Sequence, residues 1–103
     1  MPLGTAAAAL GLLHGLVTFG PTTPVCRQGA PCSRPAAHVR LVFTHHGTVR
    51  STTADARGRY AIRLAPGTWT VRASIGVSIA PARVRIVQGA AIVRDFRIDS
   101  GIR

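Results

Sequence analysis

The sequence predicts an all-β protein, a small antiparallel Greek-key β-sandwich of about seven strands. Three observations carry this expectation. Apolar and polar residues alternate with period two in short runs. Turn residues recur between those runs at intervals of about eight to twelve residues. Helical periodicity is missing outside the N-terminus, and at 103 residues the chain has room for one small domain.

In order, "LHGLVTF" (13–19) reads as an opening strand, followed by a loop rich in proline and glycine that holds both cysteines. "HVRLVFT" (38–44) sets Val39, Leu41 and Phe43 on one face, with His38, Arg40 and Thr44 on the other. "HGTVRSTT" is β-branched but has a poorer apolar face, which suits a sheet edge. In "ADARG", Asp55 can bond back to the backbone and Gly58 tolerates positive φ. "RYAIRL" (59–64) directs Tyr60, Ile62 and Leu64 inward, and "TWTVRAS" (68–74) does the same with Trp69, Val71 and Ala73. Between them, Pro66 and Gly67 suit a tight turn, so the two runs are expected to pair as a hairpin. "IGVSIAPA" is a longer connection. "RVRIV" (83–87) and "AIVRDFRI" (91–98) complete the set. The expected core is Val39, Leu41, Phe43, Tyr60, Ile62, Leu64, Trp69, Val71, Val84, Ile86, Phe96 and Ile98.

Residues 1–13 form a separate apolar segment, the remnant of an export signal or a wrongly assigned start, and residues 14–103 form the domain. The segment is too short and too interrupted to span a bilayer.

The formal charge is +10, with thirteen arginines, no lysine and no glutamate. Such an excess favours anionic partners. Arginine to the exclusion of lysine also follows from a GC-rich coding bias, which discounts part of the signal. Arg40, Arg63, Arg72, Arg83, Arg85 and Arg97 fall on outward strand positions and are the candidate contacts for anionic polymers or lipid headgroups. Arg94 breaks the pattern, sharing parity with Phe96 and Ile98, and is expected near a strand end.

Cys26 and Cys32 lie too far apart for a thioredoxin-type pair, and nothing near them supplies a set of zinc ligands. A disulfide is expected, with free thiols and, behind them, a metal site as the alternatives. Closing so short a loop contributes about 2 kcal/mol in the chain-entropy account and implies an oxidising, extracytoplasmic compartment. His45 and His46 precede Gly47 at a hairpin tip. On a regular strand adjacent residues point to opposite faces, so they are expected as solvated loop imidazoles rather than a chelating pair. No metal or cofactor is expected.

Three stretches carry a family resemblance: "GLVTFGPTTPVCRQGAPCSRPAAHVRLVF", "TTADARGRYAIRLAPGTWTVRA" and the ending "RDFRIDSGIR". From about Gly15 to Arg103 the chain resembles the carboxypeptidase regulatory-like domains of bacterial exported proteins, in the small type with a cysteine-containing loop. The resemblance implies a transthyretin-like (prealbumin-like) sandwich of seven strands, non-enzymatic, serving as a folding or adhesive module. The chain departs from it at Trp69, where tyrosine is commoner, and at Arg94, where an apolar residue is expected.

Together these readings predict a secreted or envelope-bound, monomeric, non-catalytic binding or structural module. Acceptance of a partner strand at a sheet edge is the alternative, with "GTVRSTT" as the edge. An uncharacterised hydrolase is the third reading, and the lack of an opposed carboxylate pair argues against it. Nucleic acid is disfavoured as a partner, because Tyr60 and Trp69 have inward parity and leave no stacking platform on a basic face.

Overall fold

The computed structural model describes residues 10–21 and 32–101. Ten strands and no helix occur among them: β1 (Gly11–Gly20), β2 (Arg34–Pro35), β3 (Arg40–His45), β4 (Thr48–Thr53), β5 (Arg59–Leu64), β6 (Gly67–Ala73), β7 (Ser78–Ala80), β8 (Arg83–Ile86), β9 (Ala91–Val93) and β10 (Phe96–Asp99). They form two packed sheets, as the alternation predicted. Sheet I is built around β1. Sheet II has the order β4-β3-β6-β8.

Ten strands replace the expected seven partly because single runs are broken. The run read as one strand over 91–98 is two, β9 and β10, interrupted at Arg94–Asp95. Both lie parallel to β1 in one register: Leu13 faces Ile92 before the break and Val17 faces Phe96 after it. These parallel pairings depart from the all-antiparallel expectation. The other flank of β1 is antiparallel, to β5 and then to β2. β7 is a short strand within the stretch read as a connection, and it pairs with β10.

The hairpin expected between β5 and β6 does not form. β5 pairs with β1 in sheet I, whereas β6 pairs with β3 and β8 in sheet II. Alternation is the same for a hairpin and for a crossing between sheets, since either one sends Leu64 and Trp69 into the core. The indole Nε1 of Trp69 donates to Ala65 O at 2.9 Å and holds the crossing. A true hairpin joins β3 to β4 through His46 and Gly47, both at positive φ (46° and 82°). This sign pair matches the type I′ turn that suits strand twist.

All twelve residues expected in the core are buried. Leu13, Val17, Ala36 and Ala54 join them. β1 begins at Gly11, within the segment set apart from the sequence as residues 1–13, and Leu13 has no exposed surface. Gly58 (φ 81°) closes the turn before β5 against β1, where an added Cβ would lie 2.6 Å from Val17 O.

Candidate anionic-partner face

Cross-strand partners share a face of a sheet, so the register sorts the arginines. On the outer face of sheet II, Val42 stands opposite Arg72, Thr70 opposite Arg83, and Thr68 opposite Arg85. Arg40 flanks the same face, its carbonyl accepting from Ser74 N and its N–H donating to Ser74 Oγ at 3.2 Å. Arg40, Arg72, Arg83 and Arg85 are all exposed. Between and beside them stand Thr44, Thr68, Thr70, Ser74 and Ser51, with Val42 and Val49 the apolar members. None of the three aspartates is on a strand of this sheet.

The other two candidates lie elsewhere. Arg63 is opposite Leu12 and Arg97 is opposite Thr18, both on the outer face of sheet I. That face is chemically different, carrying Leu12, His14, Leu16, Ala61, Ala91 and Val93. The six sequence candidates therefore divide into a group of four and two separate residues. Strand parity predicts exposure but not which sheet a strand joins. The hydroxyls among the four arginines are the feature that sequence reasoning missed, although Thr68 and Thr70 share the outward parity of Arg72 in "TWTVR".

Each aspartate accepts a backbone N–H. Asp55 Oδ1 accepts from Arg59 N (2.9 Å) and Arg57 N (2.8 Å), and Oδ2 meets Arg59 Nε at 3.3 Å. The N–H of Arg59, then that of Arg57, hold its carboxyl below its ordinary value of 3.8. Asp95 Oδ1 accepts from Leu16 N at 3.0 Å, and Asp99 Oδ1 from Gly101 N at 2.9 Å.

Arg94 sits at the break between β9 and β10 with its side chain exposed. Its carbonyl bends over Gly15, where no side chain stands, and accepts the Tyr60 hydroxyl at 2.6 Å. Burial, with Asp95 nearby, raises the Tyr60 phenol well above its usual range, so it stays a donor. The backbone break explains how arginine occupies a position of inward parity. Tyr60 and Trp69 themselves are buried.

The imidazoles of His45 and His46 are 4.2 Å apart rather than on opposite faces, because His46 belongs to the turn and not to the strand. Nor is His45 merely solvated. Its Nδ1 donates to Thr68 O at 2.8 Å, and its ring stands 5.1 Å from that of Trp69, over Gly67 (φ 138°). A Cβ at Gly67 would come within 2.8 Å of the His45 ring, and Pro66 precedes it at the crossing. Among the described residues no cluster of three or more metal-ligating side chains occurs. Cys26, and with it the expected pairing to Cys32, lies outside the described residues. No helix among the described residues is long and apolar enough to cross a membrane.

No family model matches the chain, and no curated protein matches it. Among solved structures it is similar to the Bacillus anthracis TIE protein, with a TM-score of 0.58 and 10% identity over 89% of this chain. It spans only 17% of that protein's length. At this identity the likeness shows a shared β-sandwich fold and leaves the carboxypeptidase regulatory-like family unestablished.

Proposed function

We propose that this chain is a non-catalytic β-sandwich module of the carboxypeptidase regulatory-like kind, acting outside the cytoplasm at the cell envelope. On this reading the outer face of sheet II binds anionic polymers or lipid headgroups. The observation that carries it is the grouping of Arg40, Arg72, Arg83 and Arg85 with serine and threonine hydroxyls on a face without aspartate. Guanidinium groups donate in a fork that fits carboxylate and phosphate oxygens. The non-catalytic reading is supported by the three carboxylates, each of which accepts a backbone N–H. A Cys26–Cys32 disulfide and an extracytoplasmic location complete the proposal.

The test is binding to anionic vesicles and to cell-wall polymer, with the quadruple Arg→Gln variant of this face beside the wild type. Binding should weaken with salt and be lost in the variant. Salt-independent binding, or binding unchanged in the variant, would overturn the proposal. Intact mass of exported protein before and after reduction tests the disulfide, and free thiols in native material would refute it.

A second reading has its own observation. β4 forms an edge of sheet II, is six residues long, and contains no proline or bulge. Such an edge can accept a partner strand through its main chain. Strand addition should survive high salt, which separates it from charge-driven binding.

A further inference from the structure

The four arginines on the outer face of sheet II are not scattered over it. Arg40 is the diagonal neighbour of Arg72, because Val42, two residues on from Arg40, is the one directly opposite. Arg83 is in turn the diagonal neighbour of Arg72 on the other side, since it stands opposite Thr70. The two diagonals run in the same direction across β3, β6 and β8. Each step is about 7–8 Å between backbone positions. Arg85 continues two residues along β8, about 7 Å further. The result is an oblique file of arginine positions roughly 20 Å long at near-even backbone intervals.

That interval is the repeat of an extended phosphodiester chain. In a 1,3-linked glycerol phosphate chain or a nucleic-acid backbone, six bonds separate successive phosphorus atoms. Six backbone bonds of an extended peptide, two residues, reach about 7 Å. Each arginine also has a hydroxyl at its side: Ser74 by Arg40 and Arg72, Thr70 by Arg72 and Arg83, Thr68 by Arg85. Arginine together with serine and threonine hydroxyls is the donor set that meets phosphate oxygens along a nucleic-acid backbone. No aromatic side chain shares this face, since Trp69 points into the core. Bases or sugars would therefore find nothing on which to stack, and recognition would rest on the phosphates.

We infer that the ligand of this face is an extended phosphodiester chain lying along Arg40, Arg72, Arg83 and Arg85. The inference rests on the reading of sheet II as an anion-binding face and narrows that reading to one ligand chemistry. It predicts a ligand that follows a line, so moving one guanidinium off the line weakens binding even at constant charge.

The experiment measures affinity for poly(glycerol phosphate) and for oligothymidylate, which share the backbone spacing. Polygalacturonate serves as a carboxylate polymer of matched charge. The protein variants are Thr70→Arg/Arg72→Thr and Arg40→Val/Val42→Arg, each keeping the net charge while displacing one arginine. Folding of each variant is checked by its thermal midpoint. Four phosphate contacts give a log–log salt slope of about −3, or about a 50-fold loss between 50 and 200 mM salt. Both swaps should weaken phosphodiester binding about fivefold or more and reduce the slope by about 0.7. Preference for one of the two phosphodiester probes identifies the source of the ligand. Equal binding of polygalacturonate, or swaps that bind like the wild type, would overturn the inference while leaving a charge-driven face intact. Unchanged binding by the quadruple Arg→Gln variant would instead remove the anion-binding reading itself.

Discussion

Asp55 shows how an exposed side chain becomes structural. Its carboxylate gathers the N–H groups of Arg57 and Arg59, and its carbonyl accepts from His38 and Gly58. The folded state thus favours the ionised form. A lowered folded pKa adds stability above the unfolded value and loses it as pH falls through the folded one. Thermal midpoints measured from pH 6 down to pH 2 should therefore fall below about pH 4, and Asp55→Asn should flatten part of that decline. An unaltered acid profile in the variant would show that another group governs it. Tyr60 makes a second test at this scale. Tyr60→Phe leaves Arg94 O without its 2.6 Å donor and should cost about 1–2 kcal/mol in chemical denaturation. Gly15→Ala should cost more, about 1–3 kcal/mol or a fall of roughly 5–20 °C in Tm, since its Cβ would meet the Arg94 carbonyl, a backbone atom held on both sides by β9 and β10.

At the scale of elements, the legible part of the fold was the part that depends on parity. Val39, Leu41 and Phe43 are core because they alternate, and the same holds for β5, β6 and β8. Partner choice was not legible. β5 and β6 read as a hairpin because alternation and a Pro-Gly link look the same whether the chain folds back or crosses to the other sheet. The pairing of β1 with β9 and β10 spans almost the whole sequence, and no local pattern encodes it. Leu13 was absent from the expected core because residues 1–13 read as a leader, and Val17 because the opening strand over 13–19, with Leu16 and Val17 adjacent, showed no clean alternation. The candidate site was half legible for the same reason: exposure of six arginines followed from parity, but their division between sheets followed from pairing. β4 was an exception, since its lack of an apolar face marked it as an edge before any pairing was known. The β3–β4 turn leaves the N–H of Ser51 directed away from β3. Ser51→Pro should therefore preserve folding, while abolishing any salt-resistant capture of a partner strand. Capture that persisted in the variant would exclude β4 as the accepting edge.

At the scale of the whole molecule, the sandwich has two unlike outer faces: arginine and hydroxyl on sheet II, and a mixed face with Leu12, Leu16 and Val93 on sheet I. The charge of +10 acts on both folding and binding, with opposite salt dependence. Arginines repel one another in the compact state, and only Arg59 forms an ion pair among the described residues. Screening that repulsion should stabilise the fold. Screening the attraction to a polyanion should weaken the complex. Raising sodium chloride from about 20 to 500 mM, across the range where the Debye length falls well below the spacing of these side chains, should therefore raise Tm by a few degrees while binding declines. The opposite signs make the result readable. If affinity fell along with Tm, the loss would reflect unfolding rather than competition at the arginine face. A rising Tm with falling affinity assigns the salt effect to the face itself, and the same titration on the quadruple Arg→Gln variant should show a smaller rise in Tm because less repulsion remains to screen.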